Sequence, residues 1–147
     1  MTAMSDYSDY GMHPEIEALT AEHDEMRRLG AELLSAQRDE PTTSSTVSSR
    51  LDDLTAVLGR HTMREETGLF ATLREVAVDD SYLARFHHDH GELFAALAAA
   101  RADHEQVPTL VSRLEAHLLV EENDMFHGAN QLLSPADWEQ IERTVAR

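Results

Sequence analysis

The chain contains no cysteine in its 147 residues. That excludes disulfides, zinc fingers, thiolate-held iron–sulfur clusters and a cysteine nucleophile. Lysine is absent as well: all 12 basic residues are arginine, and they face 28 acidic ones, for a formal net charge of −16. Such a balance repels nucleic acid and anionic membrane surfaces and suits cations. No run of 18 apolar residues occurs, so no membrane-spanning helix is expected. Six glycines and four prolines, with no alternating strand pattern, leave little for a β architecture. The opening MTAMSDYSDYGMHPE is polar and acidic, unlike a secretory signal, so a soluble cytoplasmic protein is expected. The use of arginine alone, with abundant alanine, points to a high-GC bacterial genome.

What the chain does have is helical periodicity. Residues 1–14 read as a flexible tail. From Pro14 the apolar positions recur at helical spacing: Ile16, Leu19, His23, Met26, Gly30 and Leu33 form a first stripe. Asp39 to Ser45 is a linker broken by Pro41. A second stripe runs through Val47, Leu51, Leu54, Leu58, His61, Glu65, Leu69, Thr72 and Val76. Asp79-Asp80-Ser81 starts a third, with Leu83, Phe86, His90, Leu93, Leu97 and Ala100. After a turn at Asp103 to Val107, Pro108 suits a helix start, and Leu110, Leu114, His117, Glu121, Met125 and Gly128 form a fourth. Ser134 caps a short fifth helix whose apolar face is Trp138 and Ile141. The expected fold is all-α: an antiparallel four-helix bundle over 15–130 with a C-terminal helix in 131–147 packed on it.

Nine histidines are many for this length, and four of them interrupt the stripes near their middles. His23, His61, His90 and His117 fall on the apolar faces, and Glu65 and Glu121 follow two of them at i+4. An i,i+4 pair diverges by only about 40° and rises about 6 Å, so both members can point at one volume. The chain also repeats itself. His61-x3-Glu65-Glu66-x2-Leu69-Phe70 matches His117-x3-Glu121-Glu122-x2-Met125-Phe126, and His23-Asp-Glu-Met26 matches His90-Gly-Glu-Leu93. Two copies of one two-helix unit would surround a pseudo-twofold site of four imidazoles and two carboxylates. Buried without compensation, each carboxylate costs several kcal/mol. A pair of cations cancels that charge, and imidazole with carboxylate suits iron or manganese better than calcium.

These residues resemble the hemerythrin-like, or HHE cation-binding, family. The resemblance rests on His23 in AEHDEM, His61-x3-Glu65 with EETGLF, His90 in DHGELF and His117-x3-Glu121 with EENDMF. It implies a bundle around two iron ions, bridged by oxo or hydroxo and by carboxylate, that react with O2 or related small molecules. Manganese or zinc takes second place to iron. His23, His61, His90 and His117 would be terminal ligands, and Glu65 and Glu121 would bridge. Oxygen carriers of the family have a further histidine one turn before the helix-three ligand, where this chain has Phe86. His87 and Tyr82 are the alternative groups for that position. Carriers also place the helix-four carboxylate at His-x4, the spacing of Glu122, whereas Glu121 fits the stripe and the repeat; Glu66 is the corresponding alternative to Glu65.

The missing histidine favours an open centre and redox turnover, such as hydrogen peroxide dismutation or ferrous oxidation, over carriage. The alternative is a module that binds or senses O2, nitric oxide or iron without turnover. No nucleic-acid or membrane partner is expected. His13 and His104 are expected to be solvent exposed. His127 is expected off the ligand direction at a helix end.

Overall fold

The computed structural model describes residues 13–76 and 78–146, so residues 1–12 of the expected tail lie outside the described residues. The rest is helical, with no strand among the described residues. The first long helix is α1 (Pro14–Arg38). The second consists of α2 (Ser44–Arg64), a π-helical turn (Glu65–Leu69) and α3 (Phe70–Glu75) in unbroken succession. The third is α4 (Asp80–Ala102). A 3-10 turn (His104–Gln106) leads into α5 (Val107–Val120), a second π turn (Glu121–Phe126) and α6 (His127–Leu132). The last helix is α7 (Pro135–Val145).

Local chemistry sets the ends. Pro14 occupies the first turn of α1, where its missing N–H costs nothing, and the His13 side chain accepts from the Glu15 N–H. Asp79 caps α4 by accepting from the Ser81 N–H. Ser134 and Asp137 form a reciprocal capping box at α7.

Two of the outlying histidines are not exposed as expected. His13 stacks on Trp138 at 4.1 Å with the planes 8° apart, and its N–H donates to Asn130 Oδ1. It therefore joins the start of α1 to α7 instead of trailing in solvent. His104 is largely buried because its ring pairs with Glu40. His127 is exposed as the first residue of α6, five residues short of that helix's end.

α1 packs on α2 and α5, and α4 packs on α2 and α5. The third stripe, from Leu83 to Ala100, is buried at all six positions. Each fully buried leucine of this kind contributes about 1.5–3 kcal/mol. In the fourth stripe the register slips after Glu121: Gly128 is exposed and Ala129 is buried in its place. The π turn explains this. Its i→i+5 bonding admits one more residue than an α turn, so the inward face moves on by one. Gly68, in the other π turn, lies under α7. A Cβ there would come within 3.1 Å of Val145 Cγ1, so the close seat of α7 depends on the absent side chain.

The apolar interior falls into two clusters. One contains Met26, Leu33, Leu51, Leu58, Leu93, Leu97, Leu110 and Leu114; the other contains Ile16, Leu19, Leu69, Phe70, Leu83, Phe86, Phe126 and Ile141. The buried polar residues His23, His61, Glu65, His90, His117 and Glu121 lie between them in all four long helices.

Candidate metal centre

Six buried side chains meet in that middle layer. Two groups of potential ligand atoms form there, each within 4.8 Å: His23, His61, Glu65 and Glu121 in one, and His90, His117 and Glu121 in the other. Glu121 belongs to both. Its Oε1 lies 2.9 Å from His23 Nε2 and 3.5 Å from His61 Nε2; its Oε2 lies 2.8 Å from His117 Nε2 and 3.2 Å from His90 Nε2. Glu65 spans the gap the same way. Its Oε2 is 3.1 Å from His61 Nε2 and its Oε1 is 3.1 Å from His90 Nε2. Each carboxylate thus offers one oxygen to each histidine pair.

The atoms are close without satisfying one another. Among the described residues, both oxygens of Glu65 and both ring nitrogens of His117 are buried and lack a hydrogen-bond partner. The Glu65 oxygens and His117 Nε2 have neighbours at bonding distance with angles unsuited to a hydrogen bond, and His117 Nδ1 has only Asp89, at 3.8 Å. The lone pairs converge on shared space, as metal ligands do, and unmet buried carboxylate oxygens carry a cost that a cation or a proton relieves. Imidazole nitrogen and carboxylate oxygen form a donor set that fits iron.

Outer carboxylates orient the rings. His23 Nδ1 is 2.7 Å from Glu122 Oε2, His61 Nδ1 is 2.7 Å from Glu22 Oε1, and His90 Nδ1 is 2.8 Å from Glu66 Oε2. A carboxylate accepting from Nδ1–H leaves Nε2 as a bare lone pair aimed inward. These acids are themselves held. Arg27 donates to both oxygens of Glu122 at 2.9 and 3.0 Å, Arg64 reaches Glu22 at 3.5 Å, and His87 lies 3.0 Å from Glu66. Phe126 stacks on His23 at 5.2 Å and Phe70 on His90 at 5.9 Å.

The sequence repeat therefore has a geometric meaning. In each Glu-Glu-x2-(Leu/Met)-Phe segment the first acid points to the centre, the second holds a histidine of another helix, and the phenylalanine covers that same ring. The π turns begin at Glu65 and Glu121, where the wider turn seats this double acid.

Charges in the metal-free layer compensate only in part. Burial lowers the affinity of His61 for a proton, yet Glu65, Glu121 and Glu22 outweigh it and hold the imidazole well above its ordinary range. Burial likewise works against the His90 proton, but Glu121, Glu65 and Glu66 push that group up to about 10. Glu65 is raised by burial and by repulsion from Glu121. Glu121 is the reverse case: burial opposes its charge, and contacts with His117, His23, His61 and His90 prevail and hold it well below the carboxylate range. Protons on His61 and His90 and a bound cation are alternative ways to offset the buried carboxylates.

The alternatives named from the sequence fall elsewhere. Glu66 and Glu122 sit behind His90 and His23, on the side away from the shared volume. His87 is 73 % exposed and meets Glu66 at Oε2, the oxygen that also faces His90 Nδ1, outside the central layer. Tyr82 packs edge-on to Phe86 at 5.3 Å. Burial and then Asp124 push its hydroxyl up to about 12. Phe86 is buried, 6.4 Å edge-on from His117. Sequence reasoning overlooked Glu22 and Asp89. The signal was an acid directly before each lone histidine, Glu22-His23 and Asp89-His90.

Comparison with curated proteins and with solved structures finds no match. A family model does match, over residues 14–129: the hemerythrin HHE cation binding domain. That span takes in the first three long helices, the fourth as far as Ala129, and every residue of the buried polar layer, and the chain belongs to the hemerythrin HHE cation-binding domain family.

Proposed function

We propose that this chain holds two iron ions in its middle layer and uses them in redox turnover of O2 or hydrogen peroxide. His23 and His61 would bind one ion, His90 and His117 the other, and Glu65 and Glu121 would bridge them. The observation that carries this reading is the spanning geometry of the two carboxylates, each with one oxygen toward each histidine pair. We read the surrounding helices as an antiparallel four-helix bundle. Support comes from the order of the two apolar clusters along the chain: each long helix crosses the polar layer in the sense opposite to the one before.

Bound iron would supply electron-transfer chemistry toward small oxygen species. The chain's own residues have definite tasks. Glu122, Glu22 and Glu66 accept from Nδ1 of His23, His61 and His90, which fixes the tautomer and leaves Nε2 free to ligate. Glu65 and Glu121 offset the charge of the cations. Phe70, Phe86 and Phe126 keep water from one side of the layer and sharpen its electrostatics. With Phe86 where a carrier has histidine, and His87 turned to solvent, no fifth imidazole among the described residues closes the centre.

The test combines metal analysis with turnover. Anaerobically iron-loaded protein should carry two irons per chain, gain near-ultraviolet absorption on oxidation by O2, and consume peroxide or oxidise Fe2+ much faster than His61→Ala. A reversible optical change with O2 or nitric oxide, with no consumption, would instead indicate a binding or sensing module.

A further inference from the structure

The outer shell has one weak corner. Three of the four outer acids sit within 2.8 Å of a ring nitrogen, but Asp89 Oδ2 stays 3.8 Å from His117 Nδ1. The position is occupied by aspartate where its counterpart, Glu22, is one methylene longer, and 3.8 Å is beyond a hydrogen bond. Asp89 is 49 % exposed, against 26 %, 31 % and 23 % for Glu22, Glu66 and Glu122. Arg64, His87 and Arg27 hold those three, whereas among the described residues Asp89 has only the long approach to His117. His117 Nδ1 is left without a hydrogen-bond partner. Directly outside lies a surface hollow of about 400 Å³, lined by Asp89, Glu92, Arg113, Ala116, His117 and Val120. Its lining includes His117, one of the six central side chains.

We propose that the His117 corner is the door of the centre: small exogenous molecules of the size of azide or peroxide pass from this hollow, beside His117, to the metal pair. The inference rests on the two-iron reading and adds direction to it. The pseudo-twofold repeat makes the site nearly symmetric, and the one-methylene difference at Asp89 breaks that symmetry. His23, His61 and His90 are pinned from behind, two of them under phenylalanines. Of the four rings, His117 alone has no hydrogen bond holding its Nδ1 from behind.

Two plugs separate this path from the others. Ala116 is exposed and lines the hollow at His117; Ala84 is exposed and lines a similar hollow of about 450 Å³ outside Glu66. Iron content is measured first in wild type, Ala116→Phe, Ala84→Phe and Asp89→Glu. Wild-type protein that takes up no iron overturns the metal reading itself. With iron present, sodium azide association is followed by stopped-flow absorbance. Ala116→Phe should slow association by about tenfold, an added barrier of ~1.4 kcal/mol, at unchanged iron content. Ala84→Phe should leave it near wild type, and Asp89→Glu, by closing the gap to His117, should also slow it. Slowing by Ala84→Phe alone, or equal slowing by both plugs, overturns the proposal. A second readout uses metal-free protein: 15N-histidine NMR should show the His117 ring N–H exchanging with water faster than those of His23, His61 and His90. A His117 proton as protected as theirs would also overturn it.

Discussion

The Nε2 atoms of His23 and His61 face each other at 3.1 Å in a fully buried layer, with their rings 4.7 Å apart. Both rings are tethered from behind at Nδ1, so neither can turn away. Two inward lone pairs at this distance repel unless a proton or a cation lies between them. The expected consequence is strong metal-linked stability. Stripping the protein with reductant and chelator should lower Tm by about 5–10 °C if binding is a hundredfold beyond its dissociation constant. Differential scanning calorimetry before and after chelation checks this. An unchanged Tm would mean that the layer is held by its own protons.

Arg27 touches no central atom, yet it should control metal affinity. It donates to both oxygens of Glu122, and Glu122 holds His23. Arg27→Ala frees that acid and loosens the ring. Loss of an outer partner of this kind weakens metal binding by roughly 10–100-fold. Competition with a calibrated chelator would measure it. Arg28→Ala, which removes only exposed pairs with Glu25 and Glu32, is the control and should change little.

Much of this site is readable in the sequence, and the part that is not has a physical cause. The six central residues stand out because an imidazole or carboxylate on an apolar stripe has no reason to be there unless something binds it. Their depth in the bundle follows from helical period alone. The outer acids are harder to see. Glu66 and Glu122 lie on no stripe, and their targets are on other helices, so only three dimensions join them to His90 and His23. The π turns are hidden for a related reason. Periodicity assumes 3.6 residues per turn, and it placed Gly128 inward where the wider turn puts Ala129. The anchoring of His13 depends on Trp138, more than a hundred residues away, which no local pattern reports.

Acidity should act oppositely on the metal-free and metal-loaded forms. In the metal-free protein His90 binds its proton more tightly folded, with its pKa pushed up to about 10, than unfolded, near 6.5. Its contribution to stability is therefore complete below about pH 6.5 and is lost as pH rises toward 10. His61 shifts in the same direction. Metal binding requires both rings neutral, so apparent affinity should rise with pH over the same interval and loading should release protons. Urea unfolding of chelated protein across this range, with proton release on iron addition in weak buffer, would test both. Stability of the metal-free form that rises between pH 7 and 10 would contradict the assignment.

Two core substitutions should separate packing from the centre. Leu51 is fully buried in the apolar cluster on one side of the polar layer; Phe126 is buried on the other side, stacked on His23 at 5.2 Å. Leu51→Ala removes apolar volume away from the polar layer and should cost about 2–5 kcal/mol while leaving any bound iron unchanged. Phe126→Ala opens a cavity against the His23 ring and should cost about 3–5 kcal/mol. It should also admit water beside His23, weaken metal retention during dialysis, and shift the near-ultraviolet band. If both variants lose stability and both keep iron and spectrum unchanged, the phenylalanine serves only to fill space, and the match between Phe126 over His23 and Phe70 over His90 is a consequence of the repeat without a role in the centre.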